Sequence, residues 1–280
     1  NAVTNSYSAN NLNQYASILR APAPPREPTY DLDGNMTSHG EWTYTYDAAN
    51  RLVSASSNNA PIATFAYDTQ GRRVRKVTAD GTHRYFYDGW LPVYEHITRP
   101  DSTTNEIEYI WGKDVSGTRG GAKGIGGLLY LKRDGAIYVP CYDAFGNILG
   151  YHDEQGNVVA SCSYDAFGNI VSQSGTMSDA FAFRFSTKYF DAETGLYYYG
   201  YRFYSPQLMR WLNRDPSSMS DANNYLFCEN APCSMVDIDG RWIRSWTEDS
   251  AIQEIRSKIA EMRKSGYNFA ADALEYYLGN

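Results

Sequence analysis

The stretch YDAFGNIL at 142–149 returns as YDAFGNIV at 164–171, twenty-two residues further on. A catalytic motif is needed once, whereas a segment written twice is a structural unit that stacks on its own copy. Working outward, Tyr-Asp recurs at 30–31, 46–47, 67–68 and 87–88. The pattern extends to YDxxG[NR] in YDLDGN at 30–35 and YDTQGR at 67–72, while TYDAANRL at 45–52 carries Asn50 where the others have glycine. Glycine and asparagine both accept the positive φ of a hairpin turn. Apolar residues come just after the turns: Met36, Leu52, Val74, Ile148 and Ile170. DEQGNVV at 153–159 adds a further turn within one unit. Each unit therefore reads strand, turn, strand at a period of about twenty residues, and the Asp after each Tyr is placed to close the turn with its side chain. The expected fold is mainly β, an antiparallel array of hairpins with turns at 33–35, 70–72, 145–147, 155–157 and 167–169.

Composition agrees. The 280 residues include 25 Tyr, and aromatic residues reach 15% of the chain against 20% charged. Tyrosine suits a pleated surface with a packed face and a hydroxyl in reach of water or a partner. A net charge of −7 and the absence of any basic run argue against nucleic acid as a main partner. No apolar stretch is long enough to span a membrane as a helix. No signal peptide is recognised, and the chain opens on Asn1 rather than Met, which reads as a piece of a longer protein. Cys141, Cys162, Cys228 and Cys233 form no CxxC, and His39, His83, His96 and His152 are scattered, so no zinc site is expected. Cys228 and Cys233 leave two readings open: a small disulfide in an exported chain, or free thiols packed as small hydrophobes.

Two segments interrupt the repeats. APAPPREP at 21–28 reads as an extended connector. WGKDVSGTRGGAKGIGG at 111–127 is rich in glycine but lacks the order of a phosphate loop, and it is expected to be a flexible or tightly turning loop. No cofactor is implied. After Trp246 the periodicity changes: Thr247 can cap a helix whose apolar face carries Ile252, Ile255, Ile259 and Met262, Gly266 ends it, and a second helix runs from about Asn268 to Leu278. A small α-helical hairpin over 247–278 is thus expected to be appended to the β body.

The YDxxG[NR] units resemble the YD repeats of the RHS proteins. YIWGKDVSGTRGGAKGIGGLL at 109–129 is similar to a segment found in many of them. GLYYYGYRFYSPQLMRWLNRDP at 195–216 and NNYLFCENAPCSMVDIDG at 223–240 resemble the RHS-associated core signature and its closing motif. The resemblance divides the chain into an N-terminal segment and Pro-rich connector (1–28), a YD-repeat β region (29–194), an RHS-associated core (195–241) and the helical tail (242–280). It implies a β ribbon wound into a hollow shell, closed by a core that is an aspartic-type protease cutting its own chain just after the closing DPxG. The released tail of such proteins is often a toxin held inside. It also implies secretion, or a place on the cell surface of a bacterium. The sequence departs from the signature at Met209, Ser218, Ile238 and Arg241.

In the RHS core the carboxylate pair comes from two DPxG motifs. Here Asp215 opens DPSS and Asp237 opens DIDG, with residues 219–236 between the two motifs, which keeps the family spacing of eighteen. Two carboxyls held close share a proton, so that one activates water while the other polarises the carbonyl. Arg214 matches a basic residue often found beside the first motif and could hold a carboxylate or the oxyanion. Asp239 is a substitute for the second carboxylate, and Asp221 a remote one. Asp before Pro or Gly also serves as an ordinary turn closer. Three readings result: an aspartic-type peptidase that cuts itself near 240–242 and, through an open cleft, other proteins; a noncatalytic β shell or scaffold; and a cell-surface binding module using exposed Tyr. The partner is the chain's own C-terminal segment or a protein or glycoprotein substrate.

Overall fold

The computed structural model describes residues 5–20, 22, 24–217, 223–241, 243–245 and 263. The helical hairpin expected over 247–278 lies outside the described residues, Arg263 excepted, as does Asp221. Fourteen strands, from Thr29–Tyr30 to Ile170–Ser174, pair in strict chain order, each antiparallel to the one before. A separate hairpin, Asn5–Ala9 with Tyr15–Arg20, precedes this wall.

The repeated motif builds the turns as expected. In the turns led by Asp31, Asp47, Asp68, Asp143, Asp153 and Asp165, Oδ1 accepts the backbone amides two and four residues on. The side chain of that fourth residue, Asn or Arg, returns to Oδ2. The residue before it takes positive φ, 86° at Gly34 and 58° at Asn50, where glycine or asparagine alone fits at little cost.

The tyrosine does a second job. Its hydroxyl donates to the carbonyl of the residue just beyond the preceding turn: Tyr46 to Met36 (2.9 Å), Tyr67 to Leu52 (2.5 Å), Tyr87 to Arg73 (2.7 Å), Tyr164 to Ile148 (2.8 Å). Burial pushes the phenols of Tyr46, Tyr67 and Tyr87 well up, so they stay protonated as donors. Each unit is thereby clasped to its neighbour in one register.

Two units differ. Asp88 closes no such turn and instead pairs with Arg119 at 2.5 Å. The glycine-rich stretch 111–127 is an enlarged version of the same turn. Asp114, buried, accepts from Ser116 through Oδ1 and from the amides of Ala122 and Gly124 through Oδ2. Tyr142 then clasps Leu128 as the other tyrosines do, at 2.6 Å.

One face of the wall is covered by the chain that follows it. A small sheet, Tyr189–Asp191, Leu196–Tyr198, Phe203–Ser205 and Arg210–Trp211, takes up inward-facing aromatics from alternate strands, together with Phe183 just before it. Phe65 meets Phe203, Tyr85 meets Tyr189, and Tyr109 meets Phe183 at ring centroid distances of 5.1, 5.4 and 5.0 Å. Met36 near one end of the wall donates to the Leu212 carbonyl, and Tyr151 near the other to that of Phe183. The wall therefore curves round this inner segment. All four cysteines are free thiols. No helix among the described residues is long and apolar enough to cross a membrane.

Asp143→Ala removes the acceptor of two backbone amides and the partner of Asn147. It should cost about 1–2 kcal/mol of unfolding free energy. Asp143→Asn keeps an oxygen acceptor and should cost about half as much. Denaturant midpoints compare the two; equal midpoints for Asp143→Ala and the parent chain would remove the turn-closing role.

Candidate active site

Beyond the inner sheet, the chain runs through a loop bearing Asp215 and returns along Met235–Asp237, which pairs with Ile243–Ser245. The turn between those two short strands, at 238–241, carries Asp239, Gly240 and Arg241. Both loops come to rest on Arg202, buried under 2% side-chain exposure and lying 4.2 Å over the Trp211 ring. Arg202 was not singled out from sequence. Its Nη2 donates to Asp215 Oδ2 at 2.8 Å and lies 3.7 Å from Asp237 Oδ2, its Nη1 reaches the Asn224 carbonyl, and its Nε holds the Gly240 carbonyl. A Cβ at Gly240 would come within 3.1 Å of the Arg202 amide nitrogen, so the approach that lets the guanidinium seize this carbonyl needs glycine.

The structure thus brings Asp215 and Asp237 together, but with an arginine nitrogen between them. Sequence reasoning expected two carboxyls sharing a proton directly; here a guanidinium bridges them. Asp215 is part-exposed, and its Oδ1 accepts from the Ser217 amide and hydroxyl at 2.8 and 2.6 Å. Asp237 has no solvent exposure. Its Oδ1 accepts from the amides of Asp239 (3.1 Å) and Gly240 (2.6 Å), while its Oδ2 has no hydrogen-bond partner among the described residues. Burial pushes the Asp237 carboxyl up to about 6 against the opposing pull of Arg202. Burial likewise brings the Arg202 guanidinium down to about 10, which still leaves it charged at neutral pH. Lys188, also buried, donates to the Ile238 carbonyl between the two aspartates at 2.7 Å, and burial lowers its ammonium to about 8.

Asp239 is buried beside the pair and meets Arg241 at 3.1 Å. Arg214 behaves differently from the expectation. It is exposed, forms no hydrogen bond or ion pair with either carboxylate among the described residues, and lays its stem against Gly34. Adjacency in sequence suggested Arg214, but its side chain packs on the turn at Gly34 instead. The arginine that serves the carboxylates comes from thirteen residues earlier than Asp215. The signal available for Arg202 was a lone cation within the aromatic run GLYYYGYRFY, which can be buried only beside a countercharge.

Asp215 also borders a cleft of about 520 Å³. Its other walls come from the turns at Asp33–Asn35, Asn50–Arg51 and Gln70–Gly71, with Tyr201 and Arg214. Water therefore reaches one carboxylate while the other stays dry. No group of residues suited to a metal ion occurs among the described residues.

Comparison with known proteins bears on what this arrangement belongs to. The sequence profile described as Teneurin YD-shell matches residues 3–232. The tRNA nuclease WapA of Bacillus subtilis strain 168 is 34% identical over 224 residues, covering 77% of this chain and 9% of that protein. The toxin subunit YenC2 of Yersinia entomophaga is 44% identical over 66 residues, 23% of this chain and 7% of its own length. Among solved structures, TcdB2-TccC3-Cdc42 superposes with a TM-score of 0.64 at 20% identity, over 85% of this chain and 13% of that one, which is a likeness of fold. The chain spans about a tenth of the length of the WapA proteins, which it matches over most of its own.

The sign of the Asp237 effect on stability follows from its raised value. An unfolded chain returns this carboxyl toward 3.8, so the folded state binds the proton more tightly, and stability falls as pH rises from about 4 through about 6. Asp237→Asn removes that loss. It should raise unfolding free energy at pH 8 by on the order of 1–3 kcal/mol, with the gain vanishing below about pH 4. Thermal midpoints at the two pH values check this, and a variant less stable than the parent at pH 8 would refute it.

Proposed function

Since the chain belongs to the Teneurin YD-shell family, we propose that it is the closing portion of a secreted β shell that encloses a C-terminal polypeptide. The observation that carries this reading is the inner sheet: the wall buries its apolar face on the chain's own following segment, and the backbone reaches Gly240 still on that inner side, against Arg202. The tRNA nuclease activity named for the WapA proteins is theirs, and the 9% of their length matched here gives no reason to transfer it. The RHS resemblance of the sequence supports a bacterial toxin or surface protein as the larger setting.

A second reading is favoured by one arrangement. Asp215, Asp237 and the Gly240 carbonyl all converge on Arg202. We infer self-cleavage at a bond flanking Arg241, with hydrolysis of the aspartic type. Asp215, at the water-filled cleft, takes a proton from water as the water oxygen attacks the carbonyl carbon. Arg202 holds the oxygen on which negative charge develops. Asp237 delivers its proton to the departing amide nitrogen as the C–N bond breaks. The raised carboxyl of Asp237 keeps that proton available below about pH 6. Action on other proteins through the same cleft is the extension of this reading.

Two measurements test these readings. The polypeptide following Arg241 should resist added protease while the shell is folded and succumb once it is unfolded; immediate digestion would discard enclosure. Intact mass over time should show a cut beside Arg241 that is fastest at acid pH and slows as pH rises through about 6. Asp215→Asn and Asp237→Asn should each abolish it, and the double variant should lose no more, because the residues act as one unit. Arg214→Ala should cut at close to the parent rate. Equal cutting in the parent, Asp215→Asn and Asp237→Asn would leave the site as a structural ion cluster.

A further inference from the structure

Arg241 stands where the sequence signature has an apolar residue, and its side chain is not left in water. The guanidinium carbon lies 3.4 Å from the centre of the Tyr201 ring, and Nη2 lies 3.1 Å from Asp239 Oδ2. The side chain keeps 28% of its exposure, whereas that of Asp239 keeps 3%. Tyr201 and Asp239 are fixed to one another, since the Tyr201 amide donates to the Asp239 carbonyl at 3.1 Å. Trp90 backs the Tyr201 ring at 4.5 Å, and Lys123 sits over the Trp90 ring at 5.5 Å. The result is an aromatic shelf with a buried carboxylate at its edge.

We propose that Tyr201 and Asp239, backed by Trp90, form a subsite that selects a basic side chain at position 241, beside the bond to be cut. This rests on the self-cleavage reading and adds to it a chemical preference. Two interactions supply the preference. A planar guanidinium gains from the face of the tyrosine ring, by about 0.5–2 kcal/mol as desolvation increases. The carboxylate of Asp239 is too deeply buried to be left alone. An apolar residue at 241 would strip it of its hydrogen-bonded partner and leave only Lys188 and Arg202 to face three carboxylates, an imbalance that costs more than an exposed pair is worth. Lysine would answer the charge but not the flat ring face. Asp239, a candidate substitute for the catalytic carboxylate from sequence, is on this view a specificity residue.

The test follows the full chain made in cell-free translation, by intact mass at intervals, with Asp215→Asn as the uncut control. Arg241→Leu should cut about tenfold more slowly than the parent, and Arg241→Lys about threefold more slowly. Tyr201→Leu should resemble Arg241→Leu, while Tyr201→Phe, which keeps the ring face, should cut faster than Tyr201→Leu. Arg241→Leu cutting as fast as the parent overturns the subsite. A separate arm reads the subsite even if the parent chain never cuts itself. In the Asp215→Asn protein, trypsin must withdraw Arg241 from Tyr201 and Asp239 before it can cut there. Adding Tyr201→Leu, or Asp239→Asn should the first fail to fold, should speed release of the fragment ending at Arg241 about tenfold. Unchanged tryptic rates in both overturn the subsite; accelerated rates with no self-cutting in the parent retain it and discard the peptidase reading.

Discussion

Asp191 holds the molecule together. It has no solvent exposure, and it takes an ion pair from Arg73 and another from Lys76 at 2.9 Å, both on one strand of the wall. Asp191 itself ends the first strand of the inner sheet. Burial raises its carboxyl, but Arg73 and Lys76 outweigh that and hold it below the ordinary range. Arg73 is further ringed by Tyr85, Tyr189 and Tyr198 at 5.0, 4.8 and 4.5 Å. Apolar packing alone would let the inner sheet slide on the wall, because aromatic faces are forgiving. Buried charges are not: removing one partner of such a cluster costs about 3–5 kcal/mol, and a slipped register would separate all of them at once. Glu95 repeats the device further along the wall, buried beneath Tyr109 and Tyr189 with His83 at 2.6 Å. With these two anchors set, the positions of Arg202 and Gly240 follow.

The site and the repeats are built from the same turn. Asp215 and Asp237 each accept the amide two residues on, as the repeat aspartates do, but Asp237 takes the amide three residues on where the repeats take the fourth. What separates them is the second oxygen. In the repeats the Asn or Arg four residues on fills Oδ2, as Asn147 does for Asp143 at 2.7 Å, and the carboxylate is spent on structure. Asp215 gives its second oxygen to an arginine from elsewhere in the fold, and the buried second oxygen of Asp237, 3.7 Å from the same guanidinium, has no hydrogen-bond partner among the described residues. Without a closing side chain four residues on, the second oxygen of each carboxylate turns to Arg202 instead.

This also explains what could be read from sequence. The turns were legible because each is closed within five residues, by Asp, by a residue of positive φ and by the Asn or Arg that follows. The place of the carboxylate pair was legible through the spacing of its two motifs. Arg202 was not, because its contacts reach Asp215, Asn224, Asp237 and Gly240 across the fold, and its place within an aromatic run signals a buried countercharge without saying which one. Asp114 was hidden for the converse reason: its turn is the repeat turn, but a longer loop carries the second set of amides back to it, so the spacing no longer matches. Arg214 misled because a neighbour in sequence is not a neighbour in space when the side chain turns outward.

Charge balance joins these features. Asp215, Asp237 and Asp239 face Arg202, Lys188 and Arg241, so the charges of a fully ionised cluster balance, although burial still pushes the Asp237 carboxyl up to about 6. Protonating Asp237 leaves one positive charge in excess, close to the Gly240 carbonyl that Arg202 already holds. That excess favours negative charge on the carbonyl oxygen, which is the charge that hydrolysis must develop there. Arg241 is the one cation of the three attached at the peptide bond proposed to break. As long as the backbone is whole, it neutralises Asp239 and keeps the cluster balanced. On the proposed self-cleavage reading, the proton on Asp237 is what would shift the cluster from holding the backbone toward polarising it.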